Sequence, residues 1–452
     1  MRKLLRGLLL LVLVISLASC ADNSTTGSSE QPSDDKPITN ASEQPPDVEV
    51  KELVFYSAIL KEEGCKAAVK GFEEETGVQI KIRSFDSADF VQAFMVASNG
   101  GSPIDVMLLN GQDVRAFSQK GLIQDLNSLD FLDRLLDAAI EQYTFNGKLY
   151  GLGAKGGNSS GIFVNLDVYE KYDVKVPTTL EEMIVVNNKL KENGVTLFGF
   201  GGASKYMWPM WFFSTFAQTS NGKPIERTEE ILTGKAKFTD ADSIEAFTVL
   251  QTFAEEGMFQ LGFNGTDTDG GKAAFFNGQG ASFYGGTWEI AGFRDAGMNN
   301  MDLFPFPVIK DGATSLQTGN ASDGAYTLFS RINPDNQEMA VKLIEYLTRD
   351  SVVASFRTSS SPLLQEYAVF TANKNVPLVD DSDPIAIKVQ KEFYPMTFTH
   401  LDWIYPPEVT TALQDVLQSV TGVQITPDQA GQKMQEVVDD LLENGYDFNA
   451  TK

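Results

Sequence analysis

Leu53-Val54-Phe55-Tyr56 opens a stretch, residues 53–109, that switches repeatedly between two periodicities. The opening run is short and wholly apolar, which suits a strand buried on both faces. A helical pattern follows to Phe72, and Thr76-Gly77 supplies its stop. Val78, Ile80 and Ile82 then alternate with polar residues, the period-two signature of a second strand. Phe90, Phe94 and Ala97 make a helical stripe, Gly100-Gly101-Ser102-Pro103 breaks it, and Val106-Met107-Leu108-Leu109 reads as a buried strand. Strand, helix, strand, helix, strand at this spacing predicts a parallel α/β sheet.

Further along, helices announce themselves by their caps. Pro177-Thr178-Thr179-Leu180-Glu181-Glu182 contains a capping box, Thr179 with Glu182, and Asn193-Gly194 ends that helix. Asn333 stands before Pro334 at a first helical position, with Ala340, Leu343, Ile344 and Leu347 on one face. Thr426-Pro427-Asp428-Gln429 repeats the device ahead of Ala430, Met434, Val437, Val438, Leu441 and Leu442.

Composition narrows the function classes. The 452 residues suit about three average domains or two large lobes. Hydrophobic residues at 42% and charged residues at 21% are ordinary for a packed globular chain. A net charge of −25 repels phosphate backbones, so no nucleic-acid partner is expected. With His400 the sole histidine, a nucleophile–histidine pair has one possible base and a histidine-rich metal site is excluded. No metal or cofactor is expected.

The N-terminus reads as a targeting segment. Arg2, Lys3 and Arg6 precede an apolar run, Leu8 to Leu17, too short to span a bilayer as a mature helix. It ends in Leu17-Ala18-Ser19-Cys20, which resembles the lipobox of bacterial lipoproteins. That resemblance implies a signal peptide over 1–19 and a diacylglyceryl anchor on Cys20, two acyl chains being enough for stable membrane attachment. Residues 20–48 then read as a flexible tether, dominated by Ser, Thr, Asp, Glu, Gln and Pro. With Cys20 lipidated, Cys65 is left as a small helix residue in Lys61-Glu62-Glu63-Gly64-Cys65.

Three motifs that look like chemistry fail on context. Gly151, Gly153 and Gly156 match the dinucleotide fingerprint, and Gly157-Asn158-Ser159-Ser160-Gly161 matches the nucleophile elbow. Both require a helix next, whereas Gly161-Ile162-Phe163-Val164 reads as a strand. The run Asn264 to Gly270 hints at calcium, but an EF-hand alignment puts Gly265 and Phe276 where carboxylates are needed, leaving a turn.

Tyr143-Thr144-Phe145-Asn146-Gly147-Lys148-Leu149-Tyr150-Gly151-Leu152 resembles the Y-x-G-K-x-Y-G-L segment of sugar-type solute-binding proteins of ABC transporters, the maltose-binding-protein group. Phe163 to Tyr169 followed by Val176 to Glu182, then Gly271 to Gly278 and Gly285-Gly286-Thr287-Trp288, are similar to further motifs of that family in the same order. Leu180 and Gly153 depart from it, standing where the family usually has Trp and Pro. The resemblance implies an α/β, two-lobe, periplasmic-binding-protein-like (type II) fold with a central ligand cleft. Lobe one would comprise 49–155 and 318–362, lobe two 156–317 and 363–452, with 151–161 as a crossover and cleft wall. It also implies a monomer on the outer face of the cytoplasmic membrane, handing solute to permease subunits, with no covalent chemistry.

A sugar has an apolar C–H face and a rim of hydroxyls, so it suits an aromatic platform flanked by polar side chains. Trp288 is the leading platform candidate, followed by Trp208, Trp403 and Tyr206, each against the plainer reading of a packed aromatic. Trp208 and Trp211 share a helical face, so one of them belongs to the core. From lobe one, the loops after the three strands offer Ser57, Asp86 and Asn110; Ser159 and Ser160, and Asn320 with Asp323, stand at the two crossovers. Two other functions fit the chain. One is a surface glycoside hydrolase or lyase, which needs a cleft carboxylate pair about 5–9 Å apart. The other is the same fold serving a polyamine, a peptide or a sensing role.

Overall fold

The computed structural model describes residues 52–377, 379 and 383–448. The expected signal peptide, Cys20 and the tether lie outside the described residues. Among the described residues no helix is long and apolar enough to cross a membrane.

The elements that place the site begin with β1 (Glu52–Ser57), α1 (Glu62–Thr76), β2 (Gln79–Ser84), α2 (Ser87–Asn99), β3 (Val106–Leu109) and α3 (Gly111–Gln119). They continue through β4 (Leu152–Gly156), β5 (Ser160–Asn165), α4 (Leu180–Lys191), β6 (Thr196–Phe198), α5 (Trp208–Thr219), α6 (Thr268–Phe276), β7 (Gly280–Gly286) and β8 (Met301–Phe304). After these come β9 (Gln317–Gly319), β10 (Ser322–Leu328), α7 (Gln337–Thr348), β11 (Thr397–Thr399), α8 (Pro407–Thr421) and α9 (Pro427–Glu443).

The three strands expected in 53–109 form and pair in parallel, β1 lying between β2 and β3. The sheet they start is mixed, with order β2-β1-β3-β10-β4. β10 runs antiparallel to both neighbours, setting Tyr326 opposite Leu108 on one side and Leu152 on the other. A second sheet, β8-β5-β7-β6, pairs antiparallel except at β6–β7. The sheets depart from pure parallel pairing because chain returning from the second sheet enters the first in the opposite sense.

Each sheet has its own apolar core. The first gathers Phe55, Phe72, Phe94, Leu108, Tyr326 and Leu343. The second is built around α5, whose twelve residues are all buried, as an apolar surface all round the helix demands. Between the cores the chain is shared. Leu364, Tyr367 and Ala368 pack in the first core and Phe370 in the second, while Asn373 bonds back to Thr348 and Asp350 of the first, so chain beyond 362 touches both cores.

Local signals act as expected with one variation. Thr426 and Gln429 form a full capping box. At α4, Thr179 Oγ1 accepts from Glu182 N at 3.2 Å, while the Glu182 carboxylate reaches one residue further out, to Thr178 N at 2.7 Å. Cys65 is fully buried, its Sγ donating to Leu60 O at 3.1 Å, and burial pushes the thiol up to about 12, so it is unreactive.

Candidate functional site

Two chain segments cross side by side between the sheets: Gly157–Ser159, linking β4 to β5, and Asn320–Ala321, linking β9 to β10. Asn158 N donates to Asn320 Oδ1 at 3.0 Å, and Asn320 N returns a bond to Asn158 O at 3.1 Å. Backbones this close leave no space for a side chain. A Cβ on Gly157 would lie 2.1 Å from Asn320 O. The glycine pattern of 151–161 is therefore explained by a crossover followed by strand β5, and neither the dinucleotide nor the nucleophile reading survives.

A third segment, 394–403, is pinned onto this crossing. Tyr394 Oη donates to Gly157 O at 2.6 Å, and β11 pairs with β9. His400 is buried, with Nδ1 2.8 Å from Thr318 Oγ1 and Nε2 3.2 Å from Asn158 Oδ1. Desolvation drives its pKa down to about 4, so the ring is neutral at physiological pH. A neutral imidazole facing the Asn158 carbonyl oxygen carries its proton on Nε2 and accepts from Thr318 at Nδ1. The lone histidine thus ties the third segment to both crossing strands.

On one flank, Trp288 is half-buried and lines a cavity of about 10 Å³ with Lys155, Asn158, Thr287 and Tyr367. Its Nε1 donates to Glu289 Oε1 at 3.2 Å, and Glu289 pairs with Lys272 at 2.6 Å. Burial raises the Glu289 carboxyl, while Glu289 holds the Lys272 ammonium above its ordinary value against the ammonium's own desolvation. Across the cavity Lys155 pairs with Asp323 at 2.8 Å.

On the other flank stands Trp403, half-buried, its ring 5.8 Å from that of His400. Asp402 beside it has Oδ1 shut away from water with no hydrogen-bond partner, and burial pushes that carboxyl up to about 7. Asn320 Nδ2 is likewise buried and unpartnered. A donor and an acceptor, both unmet, therefore sit on segments joined through Asn158 and His400.

The structure gathers some of the expected residues and disperses others. Ser159 and Asn320 lie on the crossing segments, Trp288 lines a cavity with Asn158, Trp403 stands beside His400, and Asn110, half-buried, precedes the Gly111 on which Trp403 rests. Ser159 is fully buried, its hydroxyl 2.8 Å from Thr397 Oγ1, and serves the crossing as a structural bond. Tyr206 is 54% exposed, with Thr268 Oγ1 donating to its hydroxyl at 3.2 Å. It lies near enough to Glu289 and Lys272 to feel their charges.

Trp208 is a correction. It is fully buried against Phe200, Phe259 and Phe263, with Nε1 donating to Gly202 O at 3.1 Å, and Trp211 is core as well. Ser57 is a second correction. Its buried hydroxyl donates to Leu60 O and accepts from Leu60 N, so it closes a turn. Asp86 is exposed at the end of the edge strand β2, three strand spacings or about 14 Å from β10, and does not join the site. Asp267 caps α6 through Gly270 N, which accounts for the Asn264–Gly270 turn.

Sequence reading missed Asn158, Gly111 and Asp402. Asn158 was in view only as part of a serine motif. The other two carry no pattern signal, because their importance arises from chain that is remote in sequence.

Two sheet-and-helix lobes joined by crossing strands, with aromatic and polar groups at the crossing, define a cleft-type binding protein. Residues 67–386 match the family described as bacterial extracellular solute-binding protein, and the chain belongs to that family. It is 24% identical to the galactooligosaccharide-binding protein of Bacillus subtilis, over 66% of this chain and 69% of that one. It is 22% identical to the multiple sugar-binding protein of Streptococcus mutans, over 63% and 67%. Among solved structures, a chitin oligosaccharide binding protein superposes with a TM-score of 0.76 at 22% identity, covering 87% of this chain and 99% of that one. RafE in complex with raffinose does so with a TM-score of 0.68 at 20% identity, covering 89% and 100%.

Proposed function

We propose that this protein is a lipid-anchored extracellular solute-binding protein that holds a carbohydrate, an oligosaccharide by preference, between its lobes and delivers it to an ABC transporter permease. The observation carrying this reading is the pairing of two half-buried indoles, Trp288 and Trp403, with an unmet donor, Asn320 Nδ2, and an unmet acceptor, Asp402 Oδ1. Apolar faces beside groups that both give and take hydrogen bonds fit a pyranose. Family membership and the sugar-binding relatives point the same way.

Beside the Trp288 cavity, Asp323 and Glu289 are each paired with a lysine, which favours a neutral ligand over a polyamine on that flank. A hydrolase would need a carboxylate pair, and these two are each already engaged. The anchor on Cys20 and a tether over 20–48 would hold the monomer at the outer face of the cytoplasmic membrane. Lobes of about 52–156 with 322–362, and 160–319 with 383–448, sharing the chain between them, would close on ligand.

The test follows tryptophan emission and melting of the chain from residue 22 across raffinose, maltotriose, chitin and galacto-oligosaccharides, polyamines and peptides. At 100 times its dissociation constant a ligand stabilises by about 2.7 kcal/mol, or about 3 °C for a cooperative body of about 400 residues. A saturable shift with one sugar recovered intact, and lost in Trp288→Ala, is expected. A response to polyamine or peptide alone would overturn the ligand class, and sugar breakdown would overturn the binding role.

A further inference from the structure

Trp288 is held at its backbone, at one ring face and at its indole nitrogen by groups of its own lobe. The backbone is tied first: Gly286 pairs with Ser160 in the β7–β5 ladder, and Thr287 N donates to Ser159 O at 2.9 Å. A Cβ on Gly286 would lie 2.0, 2.2 and 2.2 Å from Cζ3, Cε3 and Cη2 of the indole. Three consecutive ring atoms at nearly equal distance, the middle one nearest, place that missing Cβ over the face of the six-membered ring. One face of the indole therefore lies on bare backbone. The nitrogen is held as well, since Nε1 donates to Glu289 Oε1 at 3.2 Å. Glu289 is buried, and its other oxygen, Oε2, meets Lys272 Nζ at 2.6 Å. Lys272 stands on α6 one turn beyond Thr268, whose hydroxyl donates to Tyr206, so one face of α6 backs both aromatic residues.

We infer that Gly286, Glu289 and Lys272 are positioning residues, a clamp that holds the Trp288 indole with one face covered, the other turned to ligand and its nitrogen engaged. The inference rests on the sugar-binding reading for its ligand, whereas the clamp itself lies within one lobe. Because the indole N–H already has an acceptor, the platform offers a pyranose only an apolar surface for its C–H face. Recognition of hydroxyls falls to other groups. A carboxylate held by an ammonium cannot swing away from the indole without leaving that ammonium unpaired, so the ion pair stiffens the platform. A ring already fixed in place loses less freedom when a ligand stacks on it, and affinity rises accordingly.

The test labels the protein with fluorotryptophan, so that its four tryptophans give four fluorine resonances, that of Trp288 being the one missing in Trp288→Phe. Gly286→Ala puts a methyl group under the ring. Lys272→Met combined with Glu289→Leu removes both charges together, so neither is left buried alone, and melting checks that the fold is kept. In the sugar-free protein both variants should move the Trp288 resonance while those of the core residues Trp208 and Trp211 stay in place. In calorimetric titration with raffinose, maltotriose, chitin and galacto-oligosaccharides, both should weaken the sugar that binds by about tenfold. Glu289→Gln, which keeps an acceptor for Nε1 and for Lys272, should stay within about threefold of wild type. A merely structural role would instead lower the melting temperature and shift Trp208 and Trp211 alongside. An unmoved Trp288 resonance in variants that fold, or a moved one with affinity unchanged, would overturn the inference. If no sugar binds the wild type yet Trp288 alone responds, the ligand reading fails and the clamp stands.

Discussion

Trp208 and Trp288 are the same residue type with opposite surroundings, and substitution should separate them. Trp208→Ala removes a ring wedged among three phenylalanines and should cost about 3–5 kcal/mol in urea unfolding. Trp288→Ala should leave stability within about 1 kcal/mol and abolish the ligand response, since its ring is only half-buried. Acid behaviour is likewise set by single residues. His400 is held near 4 when folded against about 6.5 unfolded, so between those values the unfolded chain binds the extra proton and stability rises with pH, by roughly 3 kcal/mol in full. Asp113 and Asp402 act oppositely: burial lifts both from about 3.8 to about 7, so the native state holds the extra protons and stability falls as pH rises across that range. His400→Gln should steepen the net fall of stability with rising pH across about pH 4 to 6.5, and urea midpoints with the same pH dependence as wild type over that range would contradict the assignment. At this scale the sequence was partly legible. Trp288 stands out in the sequence through its motif, whereas nothing around Trp208 says that it belongs to the core, because composition carries no information on which aromatic the core absorbs.

Elements were read more faithfully than residues. The runs at 53–56, 78–82 and 106–109 became β1, β2 and β3 because continuous or alternating apolar residues have few other ways to bury themselves. Thr426-Pro427-Asp428-Gln429 fixed the start of α9 by local hydrogen bonds alone. What stayed hidden was pairing: nothing within Ser322–Leu328 says that it runs antiparallel between β3 and β4, which is a matter of where the returning chain arrives. The crossover glycines tie element to site. Gly157→Ala should force Asn320 away from Asn158, lowering stability by about 1–3 kcal/mol and weakening ligand binding together. Unchanged melting and affinity in that variant would show that the two segments are not held in register.

For the molecule as a whole, the two-lobe architecture followed from a family resemblance and is what the structure displays. A net charge of −25 makes electrostatics the global discriminator between ligand classes. A neutral sugar should bind with an affinity that changes less than about twofold as salt rises from about 0.05 to 0.5 M, because its attraction is short-ranged contact. A polyamine would weaken steeply as the Debye length shrinks. Calorimetric titration at both salt levels distinguishes them.

The placing of β10 also governs how the molecule comes into being. β10 lies between β3 and β4, yet it follows both in the chain, by more than a hundred residues. A chain emerging from its N-terminus therefore builds two halves of a sheet with a slot between them, and each half presents an unpaired edge until Leu328 has appeared. The nascent protein cannot seal its first lobe early. That long-range closure slows folding and lengthens the interval in which the open edges are vulnerable to aggregation.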